Sequence, residues 1–88
     1  MSREEARGYI QAAQEAELGG RPEDAANMLQ RAAALFTRMG QHRRVVALLQ
    51  HALRLQPSRK VLHNLLSQAV ERLQDVEEAI ERWRTVKA

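Results

Sequence analysis

The chain contains no cysteine, so neither a disulfide framework nor a thiolate metal site can be built from it. Aromatic residues are scarce as well, limited to Tyr9, Phe36 and Trp83. A core made chiefly of alanine and leucine, with so few rings, suits helix-on-helix packing better than a sheet. No apolar run approaches the roughly 20 residues of a membrane-spanning helix. The opening MSREEARG lacks the hydrophobic stretch of a signal peptide, so the expected location is cytoplasmic. The most informative absence concerns charge. Between Asp24 and Glu71 there is no acidic residue, while seven Arg or Lys and all three histidines fall in that interval.

What remains is an 88-residue chain, 44% apolar, with a formal net charge of +3. That length predicts a single domain over 1–88, close to the lower limit for a self-sufficient core. Apolar residues recur at three- and four-residue spacing throughout, and no alternating strand pattern occurs. Five helices are expected, over about 3–18, 22–39, 42–55, 59–73 and 76–86. Ser2 with Glu5 forms a capping box before the first helix, whose apolar face is Ala6, Tyr9, Ile10, Ala13 and Ala16. Gly19 and Gly20 end it, and Pro22 opens the second with Glu23 and Asp24 in its first turn. The second helix carries Ala25, Leu29, Ala32, Phe36 and Met39, a stripe widened by Ala26, Ala33 and Leu35, which implies neighbours on two sides. Gly40 closes it. Val45, Leu49 and Ala52 then repeat Ala25, Leu29 and Ala32 at an offset of 20 residues. Pro57 ends the third helix, and Ser58 is a candidate N-cap for the fourth. Asp75 with Glu78 gives a second capping-box pattern, which places the start of a fifth helix near Val76. Short linkers make consecutive helices antiparallel neighbours.

Val45, Leu49, Ala52 and Pro57, followed by Leu66, Ser67 and Val70 and then by Ala79, Trp83 and Val86, form a recurrent two-helix pattern. Ala79 lies 34 residues after Val45. This pattern resembles the tetratricopeptide repeat, whose helical hairpin recurs every ~34 residues. The N-terminal pair fits through Gly20, Ala25, Leu29 and Ala32. Ala12, Ala13 and Ala16 stand where a Leu, a Gly and a Tyr are usual, and the second and third helices both read as second helices. In this irregularity the chain is similar to vesicle-fusion adaptor and microtubule-interacting-and-trafficking variants. The resemblance implies an antiparallel helical-hairpin array that acts as a non-catalytic scaffold, adaptor or small chaperone subunit and binds a peptide or helix of another protein. A five-helix array leaves either a capping last helix or an open face suited to a homodimer or a client helix.

Catalytic patterns are missing. No Ser/His/Asp, Cys/His or glycine-rich phosphate motif stands in usable context, so the expectation is no enzyme, no cofactor and no metal. His51 and His63 could approach across a hairpin, but the acid-free interval withholds a local carboxylate from them. All three histidines therefore read as surface or boundary residues, and Glu77, Glu78 and Glu81 as a solvated helix face.

The basic residues carry the functional expectation. Arg43 and Arg44 open the third helix, and Arg59 and Lys60 the fourth. Positive charge there opposes the helix macrodipole by a few tenths to about 1 kcal/mol per site. Two helices thus break a rule that the other three keep, and each asks for a nearby anion. Up-and-down topology puts Arg38, Arg43 and Arg44 at one end with Glu4, Glu5, Asp75, Glu77 and Glu78, where charges balance. At the other end Arg54, Arg59, Lys60, Arg82, Arg84 and Lys87 are expected to gather opposite Glu15, Glu17, Glu23 and Asp24. That basic end face is the candidate surface for an acidic partner, with Arg54, Arg59, Lys60, Arg82 and Arg84 as its residues. The rival partner is nucleic acid, contacted by the arginine-rich middle, with the second and third helices as a helix-turn-helix. Against it stand the apolar Val45, Val46, Leu48 and Leu49 and the lack of stacking aromatics in the basic stretch.

Overall fold

A computed structural model describes residues 2–87 and forms four α-helices in chain order: α1 (Ser2–Leu18), α2 (Pro22–Arg38), α3 (His42–Leu55) and α4 (Lys60–Lys87). No strand occurs among the described residues. The side chains of Ser2 and Lys87 fall outside that description, and with them the expected Ser2 cap.

The first two turns follow from glycine. Gly20 and Gly40 both adopt φ +72, the left-handed conformation that a Cβ disfavours. Each sits in the same hydrogen-bond pattern. Gly20 N–H donates to Glu17 O at 3.1 Å and Arg21 N–H to Ala16 O at 2.8 Å. Twenty residues later Gly40 N–H donates to Thr37 O at 3.1 Å and Gln41 N–H to Phe36 O at 3.0 Å. These are paired Schellman caps, which satisfy the last carbonyls of a helix and reverse the chain at once. Pro22 follows directly, in a first turn where its missing N–H costs nothing.

Each helix packs mainly on its sequence neighbours, α1 on α2, α2 on α3 and α3 on α4. The wide stripe of α2 is used on two sides, with Ala25, Ala26, Leu29, Ala32, Ala33 and Phe36 all buried. Ala6, Ala13 and Ala16 from α1 and Val45, Leu49 and Ala52 from α3 complete the centre, with Leu62 and Ala69 from α4. Alternate helices share a face. Glu17 at the end of α1 reaches His51 on α3, and Asn27 on α2 reaches Arg59 just before α4. The result is a slab 17 Å thick and 52 Å long.

Two expectations are corrected. The fourth and fifth helices, expected at 59–73 and 76–86, are one helix of 28 residues. A capping box caps only where the chain has already left helical geometry. Between Leu73 and Val76 there is no glycine or proline to make it do so, and the neighbouring Glu, Gln, Arg, Leu and Ala residues favour continuation. Ser58 likewise sits in the turn, and Arg59 directly precedes α4. At 1.5 Å per residue α4 is about 42 Å long, against about 21 Å for the 14-residue α3. Alpha3 begins level with Leu73–Glu77, so the rest of α4 projects past it, and every residue from Gln74 to Val86 is exposed.

The two halves of α4 should therefore differ sharply in their weight on stability. Leu49→Ala, at the packed centre, should lower the unfolding free energy by about 2–5 kcal/mol. Ile80→Ala should change it by no more than about 0.5 kcal/mol. Urea denaturation followed by circular dichroism would measure both at low protein concentration.

Candidate functional site

A groove of about 570 Å³ runs between α2 and α4 over a floor made by α3. Its floor is apolar, with Val45 and Leu49 below and Leu65 at the α4 side. Helical spacing explains the wall on α2. Asn27, Gln30, Ala34 and Thr37 lie beside the buried stripe, with Arg31 at the edge nearer α1. Arg72 completes the wall on α4. No carboxylate lines the groove, a direct consequence of the interval without acids between Asp24 and Glu71.

The walls are held in place. Thr37 donates its hydroxyl to Ala33 O at 2.8 Å, which satisfies the polar group within its own helix. The Arg31 guanidinium lies 5.9 Å from the centre of the Tyr9 ring on α1, which anchors it at the groove's rim. At the groove's other end Asn27 accepts a 2.7 Å hydrogen bond from Arg59 Nη1. That bond joins the groove to the turn between α3 and α4, where Arg54 and Lys60 are exposed.

The expected basic end face is thus only partly assembled. Arg54, Arg59 and Lys60 do come together around the α3–α4 turn. Arg82 and Arg84 do not join them, because α4 continues instead of folding back. They stand 22 and 24 residues beyond Lys60, more than about 30 Å along the helix. Arg84 there approaches Glu81 at 4.0 Å. Lys87 was expected in the same cluster, and its side chain lies outside the described residues.

The opposite end matches the charge sorting more closely. Arg43 Nη2 pairs with Glu77 Oε2 at 3.2 Å, so the start of α3 has its anion. Arg44 lies over the Phe36 ring at 5.4 Å, and Arg38 is exposed at the end of α2. The start of α4 differs: Arg59 meets a neutral amide rather than a carboxylate. Of the acids expected to face the basic turn, Asp24 is 3.8 Å from Arg21 and Glu17 Oε1 accepts from His51 Nε2 at 2.9 Å. His63 uses its Nε2–H to donate to Pro57 O at 2.7 Å, which ties the turn to α4. Among the described residues no three His, Asp or Glu side chains converge as a metal site, and no helix is long and apolar enough to cross a membrane.

Asn27, Arg31 and Arg72 were not singled out from the sequence. The available signal was their place beside the apolar stripes of α2 and α4, but only the packing of both helices on α3 brings them together. Compared with known proteins, the chain matches no family model, no curated protein and no solved structure.

The Arg59–Asn27 bond is solvent-exposed and should position the guanidinium more than it stabilises the fold. A double-mutant cycle of Arg59→Ala and Asn27→Ala should give a coupling below about 1 kcal/mol in thermal unfolding.

Proposed function

We propose that this chain is a non-catalytic protein-interaction module whose α2–α4 groove takes an acidic segment of a partner protein. The observation that carries this reading is the groove's composition: arginines on both walls, no lining carboxylate, and accessible apolar surface from Met28, Ala34 and Leu65. Apolar contact with Met28, Ala34 and Leu65, which stay accessible above the buried Val45 and Leu49, would hold a partner segment, while Arg31, Arg72, Arg59, Lys60 and Arg54 would attract its carboxylates and set its register. Leu66, Ser67 and Val70 share α4 with Ala79, Trp83 and Val86, so they form no second hairpin, and the tetratricopeptide-like spacing lends support only through the hairpins of α1 to α3. A cytoplasmic adaptor or small chaperone subunit fits it.

Nucleic acid is the less supported partner. In a helix-turn-helix the second helix must be open to the groove of a duplex. Alpha3 instead lies between α2 and α4, with Val45, Leu49 and Ala52 buried.

Affinity capture with the wild-type chain and with an Arg31→Glu/Arg72→Glu variant, followed by mass spectrometry, would identify a partner that needs the groove. A labelled acidic peptide from that partner should bind the variant at least about tenfold more weakly, with unchanged helix content. Equal affinity would remove the groove from the account. Salt-sensitive binding of a random-sequence DNA duplex, abolished by the same variant, would establish the nucleic-acid reading instead.

A further inference from the structure

The projecting half of α4 offers a second surface, separate from the groove. Along α4, Leu62, Leu66, Ala69, Leu73, Val76, Ile80 and Trp83 follow one another at alternating four- and three-residue steps. That is the heptad spacing of a helix-pairing seam. Its first part is used: Leu62 and Ala69 are buried in the core, and Leu66 packs against it. The seam then outruns α3. Val76 is 42% exposed, Ile80 46% and Trp83 62%, with Val86 beside them at 85%. One helix therefore carries one continuous seam, of which α3 covers only the beginning.

We infer that the exposed part of this seam takes the same segment of a second copy of this chain, running antiparallel to it. The charges on the projecting half select that orientation. Acidic residues come first, at Asp75, Glu77, Glu78 and Glu81, and basic residues follow, at Arg82 and Arg84. Of these, Glu77 and Arg84 flank the seam, and an antiparallel copy sets Glu77 of each helix beside Arg84 of the other. A parallel copy in register sets Arg84 beside Ala79 and leaves it without a charged partner on the other helix. Packing points the same way. In a parallel pair each copy's own α3 would stand in the shared seam below Val76, and the two helices could not close. In an antiparallel pair the two bodies lie at opposite ends, and the incoming helix runs in α3's direction along the track that α3 leaves.

Heptad geometry fixes the register. Ile80 of each copy packs against Trp83 of the other, which makes two central layers. On one flank Ala79 meets Val86 of the second copy, small against branched. On the other flank Glu77 meets Arg84 of the second copy, and symmetry forms each pair twice. Arg43 already engages Glu77 through Oε2, which leaves the second carboxylate oxygen for Arg84 of the second copy. The helix end arrives at a shallow depression of about 310 Å³ between the start of α3 and Leu73 and Val76.

Sedimentation velocity of the full chain over a wide concentration range should show a reversible monomer–dimer equilibrium. Ile80→Glu, at an exposed position, should keep the helix content and weaken dimerisation by about 100-fold or more. Glu77→Arg should weaken it by about tenfold, and adding Arg84→Glu should restore it. A monomer at every concentration, a dimer indifferent to Ile80→Glu, or a double charge reversal without recovery would overturn the inference. Orientation is read separately: Ala79→Cys mixed with Val86→Cys should form the mixed disulfide in preference to either self-linked species. Preferential self-linkage would mean a parallel pair and would overturn it equally.

Discussion

Close helix approach through alanine is the constraint on which the architecture depends. Ala6, Ala13, Ala16, Ala25, Ala26, Ala32, Ala33 and Ala52 are all buried where α1, α2 and α3 meet. Each contributes little transfer free energy, but together they let three helices pack into a thin slab around a few large buried side chains, Leu29, Phe36, Leu49 and Leu62. A larger side chain at any of these sites would push neighbouring helices apart. The slab geometry then decides what can be a site. Because alternate helices share a face, α2 and α4 stand apart over α3, and their polar flanks become the walls of a groove.

The same geometry gives the uneven charge distribution its meaning. With no acidic residue between Asp24 and Glu71, no carboxylate lines the groove beside Arg31 and Arg72. Glu77, from beyond the interval, returns to neutralise Arg43 at one end. At the other end Arg59 receives only the amide oxygen of Asn27, a partner that orients a guanidinium without cancelling its charge. Arg59 and the arginines of the adjoining groove thus keep their charge where Arg43 does not.

Fold class and the first two turns were legible because each is written in residues with one conformational use: glycine for the left-handed cap, proline for the first helical turn. The double stripe of α2 predicted its two neighbours correctly for the same local reason. The expected break near Val76 failed because it rested on a carboxylate pattern that is equally at home inside a helix. That one error displaced Arg82 and Arg84 from the basic turn to the distant tip, since sorting charges by end depends on every reversal upstream. The Asn27–Arg59 and Glu17–His51 bonds lay beyond local reading altogether. They join helices that are not consecutive, and only the packing of the slab sets those distances.

Alpha4 also places two stability regimes on one rigid rod. Its first half is fastened by the core, while its projecting half is about the length at which an isolated helix is only marginal in water. Backbone amides from Asp75 onward are guarded by little more than their own helical hydrogen bonds, so they open without disturbing the slab. The tip can thus fray and re-form while the groove stays intact. Anything that settles on the tip would lengthen the ordered structure from a template already wound, starting at Leu73, rather than nucleate a helix anew.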